Sequence, residues 1–134
     1  MDQDFIRRVH EGFGAFDAGD FTAAVSNFAP DIEWDFSALP GEGVVRGRDA
    51  LRTYFEGVGQ VWAEMTNDIE EIEETDQGNL IVDARLRARG LRSGVDVDTP
   101  VAYVWEMRDG EVVRVRLYFD RGEARRAAAE AEGV

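Results

Sequence analysis

The sequence predicts an α+β fold, with helices covering one side of a mostly antiparallel sheet. Three observations carry that prediction. Apolar residues in the first half recur at intervals of three and four, the period of an amphipathic helix. In the second half they alternate, the period of a half-buried strand. Turn-forming residues, among them Gly19, Gly94 and Asp109-Gly110, fall between the periodic segments. At 134 residues the chain has the size of one domain, and residues 1–134 are read as a single domain.

Phe5, Val9, Phe13 and Phe16 form one stripe on a helix over about residues 3–17. Gly19 breaks it, and Asp20 can cap a second helix carrying Phe21, Ala24, Val25 and Phe28, which Pro30-Asp31 ends. Ile32 to Phe36 reads as a short strand with Trp34 and Phe36 on one face and Glu33 and Asp35 on the other. Ser37 to Arg46, with Pro40, Gly41 and Gly43, reads as a loop. From Gly47 a third helix carries Leu51, Tyr54, Phe55, Val58, Trp62 and Met65, weakened at Gly57 and Gly59 by about 1 kcal/mol each relative to Ala.

The strands follow. Residues 67–75 form a weak one, resting on Ile69 and Ile72. Residues 79–90 set Leu80, Val82, Ala84, Leu86 and Ala88 against Asp83, Arg85, Arg87 and Arg89. After a turn at Arg92-Ser93-Gly94 comes a strand with Val101, Tyr103, Trp105 and Met107 as its apolar row. Asp109-Gly110 signals a hairpin to a last strand ending at Phe119. Asp120, with Glu123 three residues on, opens an Ala-rich helix through a capping box.

The hairpin admits two registers. A two-residue loop sets Trp105 beside Arg114; a three-residue loop, with a bulge at Gly110, pairs Met107 with Glu111 instead. The second places Tyr103 and Trp105 with Val113, Val115, Leu117 and Phe119. It is preferred because the first buries Arg114 and Arg116 without partners. One face of the sheet is then apolar and aromatic, the other rich in arginine.

Composition narrows the function. A net charge of −13 argues against nucleic-acid and anionic-membrane partners, which require cationic surface. An apolar fraction of 44%, with eight Phe, three Trp and three Tyr, argues against disorder. The absence of Cys excludes disulfides and thiolate chemistry, and a single His excludes a multi-imidazole site. No metal-ligand spacing, phosphate loop or nucleophile elbow stands out, so no metal and no cofactor is expected. With no stretch long enough to span a bilayer and an acidic start, Met1-Asp2-Gln3-Asp4, the expected location is cytoplasmic.

Several short motifs follow one another in order: Phe16-Asp17-Ala18-Gly19-Asp20, Pro30-Asp31-Ile32-Glu33-Trp34-Asp35 and Arg46-Gly47-Arg48-Asp49-Ala50-Leu51. Ser93-Gly94-Val95, Asp109-Gly110-Glu111-Val112-Val113-Arg114-Val115 and Tyr118-Phe119-Asp120-Arg121 complete them. With the order of elements, these motifs resemble the SnoaL-like branch of the nuclear transport factor 2-like superfamily, relatives of ketosteroid isomerases and limonene epoxide hydrolases. The resemblance implies a cone whose curved sheet and N-terminal helices enclose one pocket, commonly as a dimer. It does not carry the relatives' acids across. The isomerase positions fall on Gly12, Phe36 (with Asp35 one residue away) and near Tyr103. The epoxide hydrolase positions fall on Leu117 and near Arg85 and Arg87, so both mechanisms lack their carboxylates.

The expected function is binding of a small apolar or polycyclic ligand, with isomerisation, cyclisation or hydration as candidate reactions. The alternative is a non-catalytic carrier or a dimeric interaction module. Trp34, Phe36, Tyr54, Phe55, Trp62, Trp105, Leu117 and Phe119 are the expected ligand-binding residues, against the plainer reading of core filling. Tyr103 is the candidate catalytic hydrogen-bond donor and Asp35 the candidate base, although alternation favours a solvated Asp35. His10 is a candidate proton shuttle or, more simply, a helix-surface residue. Arg85, Arg87, Arg89, Arg114 and Arg116 read as an outer face, paired with Glu106, Asp83 or a second subunit, so a homodimer through that face is expected. Glu70-Glu71, Glu73-Glu74 and Asp76 read as a solvated edge.

Overall fold

Helices gather at the start of the chain because its apolar residues keep the helical period there. The structure, a computed structural model, describes residues 3–39 and 41–133. Met1 and Asp2 of the acidic start, Pro40 of the predicted loop and Val134 lie outside the described residues. Helix α1 (Gln3–Asp17) buries Val9 and Phe13. It ends where Gly19, at φ 81°, lets the Asp20 N–H donate back to the Ala15 carbonyl at 2.9 Å. The Asp20 carboxylate then accepts the Ala23 N–H at 3.1 Å and opens α2 (Phe21–Val25).

The remaining elements are β1 (Phe28–Asp35), β2 (Val44–Arg46), α3 (Arg48–Val61), β3 (Trp62–Glu74), β4 (Leu80–Gly90), β5 (Asp96–Arg108), β6 (Glu111–Tyr118) and α4 (Arg121–Ala131). The strands form one curved, unclosed sheet in the order β2-β1-β6-β5-β4-β3, antiparallel except where β1 meets β6. On the inner face Trp34, Val82, Ala84, Val101, Tyr103, Trp105 and Leu117 pack against Val9, Phe13, Leu51 and Phe55 of the helices. Each fully buried side chain of this size contributes about 1.5–3 kcal/mol, which is why the helices close on this face.

Three boundaries differ from the sequence expectation, and bulges explain the one between the third helix and β3. Phe28 begins β1 instead of extending the second helix. The third helix stops at Val61, so Trp62 and Met65 belong to β3. β3 breaks register against β4 between Trp62 and Glu64 and again between Ile69 and Glu71. Each inserted residue lets side chains three apart, Trp62 with Met65 and Ile69 with Ile72, fall on one face of a strand. That spacing mimics a helix. Within the predicted loop, Val44–Arg46 pairs with β1 as β2, too short to show a period.

The last hairpin corrects a further expectation. Asp109 (φ 52°) and Gly110 (φ 79°) form a two-residue turn, and Arg108, not Met107, pairs with Glu111. Inward placement of Tyr103 and Trp105 is restored by a bulge between Glu106 and Met107, after which Trp105 faces Val115 and Tyr103 faces Leu117. Val112 thereby joins the buried row in place of Val113.

The outer face is not bare. Ala124 and Ala128 of α4 lie on Ile81, Ala102 and Val104, where their short side chains permit close approach. Asp83, its side chain only 3% exposed, is held by Arg125 at 2.9 Å and Arg121 at 3.8 Å, so its partners are on α4 and not on the strands. At the end of α4, Glu132 accepts from Thr75 Oγ1 at 2.5 Å and Asn79 Nδ2 at 2.6 Å. The strand arginines have partners within the chain: Arg85 with Asp98, Arg87 with Asp68, Arg89 with Asp96 and Arg116 with Glu106.

Candidate functional site

Between the inner face of the sheet and α1–α3 lies a cavity of about 640 Å³, a volume suited to a drug-sized molecule. The bulged start of β3 supplies Trp62 and Met65, β5 supplies Tyr103 and Trp105, and Leu117 and Phe119 close the wall at the end of β6. From the other side come Phe13 and Phe16 of α1, Tyr54 and Phe55 of α3, and Trp34 and Phe36 at the end of β1. The structure therefore brings Tyr103 and all eight expected ligand-binding residues to one cavity. All three tryptophans of the chain line it.

The rings are ordered among themselves. Trp34 stacks on Phe36 at 5.6 Å and 12°, and Phe36 on Tyr54 at 4.4 Å and 22°. Phe55 and Tyr103 meet Trp34 edge-on. Parallel and edge-to-face pairs hold the wall in place without a ligand.

Polar groups on the lining are few. Tyr103 donates its hydroxyl hydrogen to Asn67 Oδ1 at 2.7 Å. Burial, with a smaller push from the Asp17 carboxylate, raises the Tyr103 hydroxyl well above the ordinary phenol value, so it stays protonated. Asp17 accepts the Asn67 backbone N–H at 3.4 Å. Its carboxyl is raised to about 6: burial raises it most, that hydrogen bond lowers it and the Asp68 charge adds a smaller rise. Tyr54 is pushed up to about 12, first by burial and then by the charge and hydrogen bond of Glu42. Glu42, on the loop after β1, is the only carboxylate among the described lining residues, and no His accompanies it. A metal ion needs three or four such donors.

Two expected residues lie elsewhere. Asp35 is absent from the lining; its Oδ1 accepts the Ser37 N–H at 2.8 Å, closing the turn after β1. It faces away from Trp34 by strand alternation, so the candidate base is corrected to a turn-capping residue. His10 is exposed on α1, outside the lining. Asn67 and Glu42 line the cavity without being among the expected residues. Asn67 is legible as the one polar member of the inward row Met65, Asn67, Ile69 once β3 begins at Trp62.

A family model described as the SnoaL-like domain matches residues 6–115. No curated protein matches the chain. Among solved structures, an NTF2-like protein of unknown function from Burkholderia pseudomallei is 24% identical, covers 90% of this chain and 94% of its own, and superposes with a TM-score of 0.75. TerC, crystallised with polyporic acid, is 22% identical over 93% of this chain and 97% of its own, with a TM-score of 0.74. A putative polyketide cyclase from Xanthomonas campestris pv. campestris is 20% identical over 88% and 91%, with a TM-score of 0.74. At these identities the likeness is one of fold.

Proposed function

The chain belongs to the SnoaL-like domain family, and on that premise we propose that it binds a flat, uncharged, largely apolar molecule in the cavity beneath its helices. The observation that carries this reading is a cavity of about 640 Å³ walled by rings from five elements. A planar ligand gains from such walls both burial and ring stacking. TerC, which shares the fold, was crystallised with polyporic acid, which supports a small-molecule role for the fold and not the charge of the ligand.

Binding takes precedence over acid–base catalysis in this reading. Proton transfer requires a group of suitable pKa within reach of the ligand. Tyr103 is held protonated, Asp35 lies outside the lining, and any such step falls to Glu42 beside Tyr54. A homodimer through the part of the outer face that α4 leaves open belongs to the same proposal, and light scattering tests it.

Native mass spectrometry of protein purified from its own host tests the binding role. The expected result is a retained small molecule of fixed mass, displaced by Ala88→Phe, which extends a ring into the cavity. Protein that carries nothing and takes up no polycyclic ketone by calorimetry refutes it.

A further inference from the structure

We infer that Asn67, and not Tyr103, is the hydrogen-bond donor this cavity offers to a ligand, and that the group it takes is an uncharged acceptor such as a carbonyl oxygen. The inference rests on the proposed binding role of the cavity and deepens it.

A phenol has one hydrogen to give, and Tyr103 gives it to Asn67 Oδ1 at 2.7 Å. Its high pKa keeps that hydrogen in place. The Asn67 carboxamide carries two hydrogens on Nδ2, and no hydrogen bond reaches that atom among the described residues. Tyr103 pins the oxygen side of the amide, while Asp17 holds the backbone N–H of the same residue. The amide plane is thus fixed on a residue that lines the cavity, with its donor edge unspent. The reverse amide orientation would leave the Tyr103 hydrogen buried without an acceptor.

Trp62 also brings an indole N–H to the lining, but no hydrogen bond among the described residues orients that side chain as Tyr103 orients Asn67. The indole N–H groups of Trp34 and Trp105 also lack partners, but both nitrogens are sealed inside the packed wall. Charge sets the class of acceptor. Asp17 stands behind Asn67, Glu42 is on the lining, and the lining holds no Lys or Arg among the described residues. An anionic oxygen would meet repulsion there, whereas a neutral carbonyl meets the aligned Asn67 donor.

The test compares 9-fluorenone with fluorene, tricyclic probes that differ only in carrying a carbonyl or a methylene at the central carbon. Calorimetry is run on the wild type, Tyr103→Phe, Asn67→Leu and the double variant, and the bound ketone's C=O stretch is read by infrared difference spectroscopy. The wild type is expected to prefer the ketone about tenfold and to lower its stretching frequency. Tyr103→Phe keeps most of the preference and the shift; Asn67→Leu loses both and still binds fluorene. Because Asn67→Leu strands the Tyr103 hydroxyl, the double variant, which removes both partners, guards against a failure to fold and is also expected to show no preference. A preference that survives in Asn67→Leu and disappears in Tyr103→Phe overturns the assignment. Equal binding of both probes by the wild type overturns the donor alone, and binding of neither overturns the role of the cavity and the inference with it.

Discussion

Tyr103 and Asn67 hydrogen-bond at 2.7 Å although β4 runs between their strands. Tyr103 stands opposite Val82 and Asn67 opposite Leu86, so the line joining them crosses β4 at Ala84, a side chain short enough to be spanned. The bond therefore ties β5 to β3 over a gap that backbone pairing does not bridge.

Ala84→Leu is expected to break this tie by occupying the gap. Overpacking a residue with no exposed surface destabilises by about 1–3 kcal/mol. Urea denaturation measures the change, and an unchanged midpoint counts against the crossing at Ala84.

The two partners are also expected to be coupled in stability. Tyr103→Phe and Asn67→Leu each leave a buried polar group unpaired, at about 1–3 kcal/mol, whereas the double variant removes both. Its loss should fall short of the sum of the singles, as a double-mutant cycle would show. Simple additivity excludes the bond as a stabilising unit.

Asp17 predicts a pH dependence. Its folded pKa, about 6, lies above the ordinary 3.8, so the native state holds this proton more tightly than the unfolded chain does. For this group, stability is greatest below about pH 4, declines between about pH 4 and 6, and is level above. Asp17→Asn retains an oxygen acceptor for the Asn67 N–H and removes the titration. It should gain on the wild type as the pH rises from about 4 to 7. Denaturation midpoints at the two ends check this, and a constant difference contradicts it.

On the outer face, Asp83 is the anchor of α4. Asp83→Ala should destabilise by about 1–3 kcal/mol, the lower end being favoured because Arg125 is 38% exposed and can rehydrate. Hydrogen exchange should rise along α4 while binding in the cavity is unaltered. Uniform exchange across the sheet would mean that α4 is not held locally.

Filling the cavity separates binding from folding. Ala88→Phe projects into open volume beside Met65, so stability should change by less than about 1 kcal/mol while affinity for 9-fluorenone falls at least tenfold. Retained affinity would move the ligand out of this cavity.

Much of the molecule was legible where one residue period held without interruption. α1 and the alternation of β4 and β5 put Phe13, Tyr103, Trp105 and Leu86 on the cavity side from sequence alone. The reading failed where a strand carries an extra residue. Trp62 and Met65, or Val112 and Val115, stand three apart and still share a face because a bulge lies between them. Asn67 is hidden for that reason, because the strand predicted from the sequence begins at its position whereas β3 begins at Trp62. Glu42 reaches the cavity through a glycine-containing loop without any period.

The clustering of the three indoles around a single hollow has a practical consequence. Indole emission, excited where tyrosine does not absorb, originates at that one place, so its wavelength and yield act as a built-in optical gauge of what occupies the hollow. Events at α4, on the opposite side of the sheet, should leave the spectrum dark to them.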